Sequence, residues 1–471
     1  MRWIGVTKTG FLGAFVIGAA AFAAFGFVVS RATAASTATD IASFQTEAHE
    51  RDDADRQIAS PASARVQISD FQGRITLKLA DVDTVSINDP QAEERTEQAY
   101  VTRLRDGDNG VTFSMAGRAP LTDDDLRDFY RYQRDNRGES GNEILRSYLA
   151  DAPAVTLTVP MGADIAIERS IAIVGMADPG TENAGSEQLK LGHVKLGRGV
   201  IGATLGDLAS GNITVGGIAD VAIGNVDGAL KGALSGSANF RAGTLGEARL
   251  VLSGSGNIDT DDIKGHGDLI LSGSGNLTVG AIAAAPGKST GKSTEETSMV
   301  LTGSGNITAR DVGQPVSARI TGSGNITARN VGQPVSARIT GSGNIGLDNV
   351  DGDISTQISG SGQIRARAIA GGATVRISGS GDLDIDRVDG IVDVSIGGNG
   401  RVRIDDGRAH DLKVSIAGNG HFTHRGIATN LNASISGNGS IKVARNEGTL
   451  KTSNRDGIIE VNGQRIKPKR R

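Results

Sequence analysis

No cysteine occurs in the 471 residues. That absence excludes disulfides, thiolate metal sites, a cysteine nucleophile and the lipid-modified cysteine that anchors bacterial lipoproteins. Aromatic residues are scarce as well, at 3%. A conventional core draws much of its buried area from aromatic rings, so this core must be made of Val, Ile, Leu and Ala. Many identical thin layers require that, because a ring in every layer would not fit. Nor is there an excess of either charge: 49 Lys and Arg against 53 Asp and Glu leave a net charge of −4. Such a balance argues against an obligate nucleic-acid partner. The six histidines offer no metal site, since His410, His421 and His424 lack the i, i+4 helical spacing of a zinc enzyme. Nothing in the sequence calls for a cofactor.

What is abundant is glycine, 67 of 471 residues, and it is periodic. The run Ile-Thr-Gly-Ser-Gly-Asn-Ile returns every nineteen residues, with Thr302, Thr321, Thr340, Ser359 and Ser378 opening successive copies. Each copy is too short to bury its own apolar face, which is the mark of stacked repeats. Further turn motifs open at Ser235, Ser253, Ser272, Gly397, Ala417 and Ser436, and a shorter copy lies at Ser210-Gly211-Asn212-Ile213. Between Ser272 and Thr302 the step lengthens by a Gly/Ser/Thr/Lys-rich loop around 286–294. Residues 307–325 and 326–344 differ only at Asp311 against Asn330, a tandem duplication of one whole unit.

One unit reads as two strands. Val316, Ala318 and Ile320 alternate with Ser317 and Arg319; Ile326 and Ala328 alternate with Thr327 and Arg329. Thr321 to Asn325 turns the chain between them, and Val331-Gly332 makes a second corner. Glycine and asparagine are expected there for the left-handed backbone angles they tolerate. The expected fold is therefore all-β, a right-handed parallel β-helix of about 19 residues per coil, preceded by a small N-terminal β region with a short helical insertion. Asn212, Asn239, Asn257, Asn276, Asn306, Asn325 and Asn344 occupy one turn position, so stacking predicts a structural amide ladder. Gln363, Asp382, Arg401, His421 and Ser440 continue that position.

The domain boundaries follow. Arg2 and Lys8 precede an apolar stretch over 11–29 and then Ala32-Thr33-Ala34, so 1–35 reads as a signal peptide or, uncleaved, an N-terminal membrane anchor. Residues 36–62 are a polar linker. Residues 63–170 form the N-terminal β region, with a charged helical excursion near 120–149; 171–446 are the solenoid repeats; 447–471 hold a cap strand and a basic tail. The mature protein is expected outside the cytoplasm, periplasmic or cell-surface, and held to the inner membrane through 11–29 if the segment stays.

The Gly-Ser-Gly-Asn-Ile turns, together with Val155-Thr156-Leu157-Thr158-Val159-Pro160 ahead of them, resemble the head-GIN-domain family of bacterial exported proteins, named as an autotransporter-adhesin head. The resemblance covers about 65–445. It implies a β-helix and an exported location, and it brings no mechanism.

Chemistry is thinly signalled. Gly-Ser-Gly lacks the Lys-Ser/Thr and the following helix of a phosphate loop. Asp382, Asp384 and Asp386 share one strand face and are the weak candidate for a cation or for carbohydrate-cleaving carboxylates. Arg319, Arg338 and Arg376 stack in one column, with Gln357 between the last two, and suit an anionic glycan, a lipid headgroup or an envelope protein. Two readings result: a non-enzymatic exported solenoid that binds or organises the envelope, and a polysaccharide lyase or hydrolase on the same fold. No catalytic residue stands out for the second.

Overall fold

In the unit 316–335 the strand Val316–Ile320 pairs in parallel with Thr297–Leu301 before it and Val335–Ile339 after it. The strand Asn325–Val331 pairs in the same way with Asn306–Val312 and Asn344–Val350. Parallel neighbours need a crossover, and here each coil supplies it: the crossover of one ladder is the strand of the other. The result is a β-solenoid of about 14 coils with two parallel ladders. The computed structural model describes residues 55–59, 65–90, 101–107, 110–116, 121–136, 143, 147–148, 153–177, 190–282 and 296–467. All of these lie in one unit, 52–471. The N-terminal apolar segment 11–29 and the 286–294 loop fall outside the described residues. Among the described residues no helix is long and apolar enough to cross a membrane.

The period-two pattern sets which side chains go in. Val316, Ala318, Ile320, Ile326, Ala328 and Val331 are each at most 2% exposed, and their apolar counterparts in the other coils join one continuous core, with Thr297, Thr356 and His424 among the buried polar exceptions. A buried Val or Ile contributes about 1.5–3 kcal/mol relative to an exposed one. Few rings enter this core; Phe71, Phe113, Phe240 and Phe422 are the fully buried phenylalanines in it.

The ladders continue without a break into the N-terminal β region, but chain order and stacking order part company there. Strands Arg65–Ser69 and Gln72–Ala80 form a coil that lies between two others. On one side are Asp164–Glu168 and Ile171–Met176; on the other are Gly110–Ala116 and Ala154–Pro160. Antiparallel strands then close this end: Val101–Gly107 on Gly110–Ala116, Thr84–Asn88 on Ala154–Pro160, and Asp55–Ala59 on Thr84–Asn88. The other end is closed by an antiparallel hairpin, Ile458–Val461 with Gln464–Ile466. Its Asn462-Gly463 turn has φ of 54° and 75°, the two positive angles that an Asn-Gly hairpin turn requires. Capped ends keep unpaired edges from templating further strands.

The helical excursion forms the helix Asp123–Asp135. Thr122 and Asp125 make a reciprocal capping box: the Asp125 N–H donates to Thr122 Oγ1 at 3.2 Å, and the Thr122 N–H donates to Asp125 Oδ2 at 2.7 Å. Three aspartates in the first turn also suit the positive end of the helix dipole. Phe129 and Gln133, one turn apart, face the solenoid. Phe129 packs in a cluster with Leu121, Ile171 and Ile201, and its ring meets Tyr148 edge-on at 5.0 Å. The Gln133 amide donates to the Ile218 carbonyl at 2.9 Å and accepts from the Ile218 N–H at 3.2 Å.

The glycines of the turns serve a different purpose from the expected one. The first and last glycines of the repeated Gly-Ser-Gly turns lie outside the left-handed region except Gly236, and so do the ladder asparagines. Close stacking is what excludes a side chain: a Cβ on Gly324 would stand 1.8 Å from the carbonyl oxygen of Gly305 in the neighbouring coil.

Candidate functional site

The turn asparagines begin the second strand of each coil, so their amides project along one outer column. Asn257 donates to Asn239 at 3.2 Å, Asn276 to Asn257 at 3.1 Å, Asn306 to Asn276 at 2.9 Å, Asn325 to Asn306 at 2.9 Å and Asn344 to Asn325 at 2.9 Å, each from Nδ2 to Oδ1. Asp220 starts the column, accepting from Asn239 at 3.0 Å. Asn212 does not belong to it. Ser210-Gly211-Asn212-Ile213 lies inside the strand Asp207–Val215 of the other ladder, where Asn212 pairs with Lys195 and Lys231. The letters of the turn are present there, but the chain is extended through them.

Two positions along, a second outer column reads Thr278, Thr308, Thr327, Gly346, Arg365 and Asp384. The two columns line a groove of about 510 Å³ from Asn276 to Arg365. Sequence reasoning missed this groove. Its signal was Gly346, a missing side chain where three preceding coils carry threonine.

The other ladder carries the arginines. Arg319 pairs in register with Arg338, Arg338 with Gln357, and Gln357 with Arg376. Beside them run Ser317, Ser336 and Ser355, and the two rows line a cleft of about 140 Å³. All three arginines are exposed, and none makes an ion pair with a described residue. Some other cations of the array are paired: Arg249 meets Asp268 at 3.1 Å, Arg403 meets Asp405 at 2.7 Å and Lys413 meets Asp393 at 3.3 Å.

The aspartate face is internally occupied. Asp382 Oδ1 accepts the Arg401 N–H at 3.0 Å, and Asp384 Oδ2 accepts from the Gln363 amide at 2.5 Å. Asp384 is also flanked in register by Arg365 and Arg403. Asp382, Asp384 and Asp386 therefore do not gather, and among the described residues no group of three or more His, Asp or Glu is placed to hold a metal ion. Farther on, salt bridges settle the charges. The Arg403 guanidinium holds the Asp405 carboxyl below the usual range, and the Arg408 guanidinium does the same for Glu447. Asp389 is lowered by the Arg408 backbone N–H and by Arg387.

Two buried polar groups complete the survey. His424 is 0% exposed, on an inward position flanked in register by Ile404 and Val443. Neither ring nitrogen has a well-formed hydrogen bond among the described residues; burial pushes its pKa below 6.5, outweighing the backbone at Ile427 and Ile404 and the Asp406 charge, which favour the charged ring. His421 faces outward, its Nδ1 2.8 Å from Ser440 Oγ. Under the helix, burial pushes the Tyr130 hydroxyl up to about 12.

Residues 292–405 and 373–456 match the family model described as "Putative auto-transporter adhesin, head GIN domain". The resemblance carried by the Gly-Ser-Gly-Asn turns thus holds over 292–456. No curated protein and no solved structure matches the chain.

Proposed function

We propose that this chain, a β-solenoid whose residues 292–456 are head-GIN repeats, is an exported, non-enzymatic module of the bacterial envelope that binds an anionic ligand in adhesin-like fashion. The observation that carries the reading is the column Arg319, Arg338, Gln357 and Arg376 with its flanking serines. Like charges on adjacent strands repel. An anion laid along the column relieves that repulsion, and the guanidinium fork suits the planar carboxylates, sulfates or phosphates of a glycan or lipid headgroup. Export rests on Arg2 and Lys8 ahead of the apolar 11–29 stretch. A mature N-terminus at Ala35, read by mass spectrometry, would identify that stretch as a cleaved signal rather than a tether.

A glycosidase or lyase needs carboxylates converging on a substrate groove. The larger groove offers amides, hydroxyls and one guanidinium instead, which favours binding over cleavage. The test is a glycan and lipid screen of the native chain beside Arg319→Ala/Arg338→Ala. Anionic ligands held by the first and released by the second support the proposal. Equal binding by both, or no anionic ligand at all, contradicts it.

A further inference from the structure

The groove on the opposite ladder has its own chemistry. An asparagine side chain has two N–H donors and an oxygen with two lone pairs. In the column, Asn306 and Asn325 each give one N–H to the coil before and take one on the oxygen from the coil after. Each therefore presents one spare donor and one spare acceptor outward, repeated at the strand spacing of about 4.8 Å. Thr278, Thr308 and Thr327 add hydroxyls that also donate and accept. Gly346 opens a hollow in this row, and among the described residues the only cation lining the groove is Arg365 at its far end.

We infer that this groove binds an extended, uncharged polysaccharide strand bearing hydroxyl and acetamido groups, lying along the solenoid axis. A wall that both donates and accepts at every step is complemented by a ligand that does the same at every step, as hydroxyls and secondary amides do. The rise of one sugar in an extended β-linked chain is of the same order as the coil spacing, so successive sugars meet successive coils. Among the described residues lining the groove there is no aromatic ring to serve as a stacking platform. Each sugar is held by hydrogen bonds alone, whose net worth is small, and affinity must come from repetition. The groove spans five coils, from Asn276 to Gln363, about 20 Å at that spacing. The site is distinct from the arginine column and makes a separate claim.

The probe is a series of β-1,4-linked N-acetylglucosamine oligomers from two to six sugars, titrated calorimetrically into the full chain. Affinity is expected to rise with each added sugar until the groove is filled. Gly346→Ile fills the hollow; a Cβ there meets its nearest neighbour, Thr327 Oγ1, at 3.8 Å, so no neighbouring backbone bars a side chain at this position. That variant is expected to lose at least tenfold in affinity for the longest oligomer with its thermal midpoint unchanged. Thr327→Val, which removes one hydroxyl at nearly constant shape, is expected to lose affinity by a smaller factor. Arg319→Ala/Arg338→Ala is expected to bind the oligomers as the native chain does. The inference is overturned if no oligomer binds, if affinity is independent of length, or if Gly346→Ile and Thr327→Val both bind like the native chain. Losing oligomer binding in the arginine variant would overturn it too, by placing the sugar on the other ladder.

Discussion

The carbonyl oxygen of Gly303 accepts the backbone N–H of Ser323 at 3.1 Å, and a Cβ on Gly322 would stand 1.9 Å from that same oxygen. The turns are thus part of the ladder, hydrogen-bonded coil to coil, and their glycines are fixed by that approach. Gly322→Ala forces the two turns apart, at a cost of about 1–3 kcal/mol for an overpacked site. Gly346→Ala has no such contact and reduces the freedom of the unfolded chain, so it is neutral or stabilising by about 0.4–1 kcal/mol. Thermal denaturation of the two variants side by side reads the difference; a lower midpoint for Gly346→Ala than for Gly322→Ala would contradict this account of the turns.

Acid should weaken the protein through His424. Its folded pKa lies below 6.5 because burial disfavours the charged ring. As pH falls through about 6.5 the unfolded chain takes a proton that the native chain refuses, so stability drops by up to about 1.4 kcal/mol per pH unit until the native pKa is reached. Asp389, Asp405 and Glu447, whose pKa values are lowered, lose their contributions only farther down, below the unfolded carboxylate range near about 4. Leu347 occupies the corresponding inward position of another coil. Denaturation curves at pH 7.5 and 5.5 should therefore show a smaller loss for His424→Leu than for the native chain; equal losses would remove His424 as the cause.

The helix Asp123–Asp135 is held to the solenoid chiefly by Phe129 and Gln133. Phe129→Ala should cost its docking about 3–5 kcal/mol, and limited proteolysis should then cut within the helix while the repeats survive. Tyr130 offers a second readout in the native chain. Its phenol should ionise only near pH 12 in a spectrophotometric titration, and Phe129→Ala should bring it back towards an ordinary value of about 10.

The coil itself was legible because inward and outward residues alternate within its strands, over 316–320 and 326–329, and the structure buries Val316, Ala318, Ile320, Ile326, Ala328 and Val331 together. What misled was meaning drawn from letters alone. Ser210-Gly211-Asn212-Ile213 spells the turn yet lies in a strand, because its coil reaches the corner later. The turn glycines suggested backbone angles, whereas contacts between coils nineteen residues apart decide them. The placing of Arg65–Ala80 between two later coils has no local signature, since it is fixed by pairings such as Val66 with Val111, Arg74 with Ala154 and Arg65 with Asp164, far along the chain. The groove was hidden for a related reason: Gly346 is an ordinary residue in its own repeat and a gap only beside Thr327 and Arg365.

The central claim is that the array binds through a repeated charged surface rather than through a catalytic cluster. Its most direct measurement is the calorimetric titration of polygalacturonate, a linear polycarboxylate, into the full chain and into Arg319→Ala/Arg338→Ala, with the products analysed for new reducing or unsaturated ends. Binding by the native chain that weakens with added salt, falls at least tenfold in the double variant and leaves the polymer intact is the predicted result. Undiminished binding by the double variant, or cleavage of the polymer by the native chain, would contradict it.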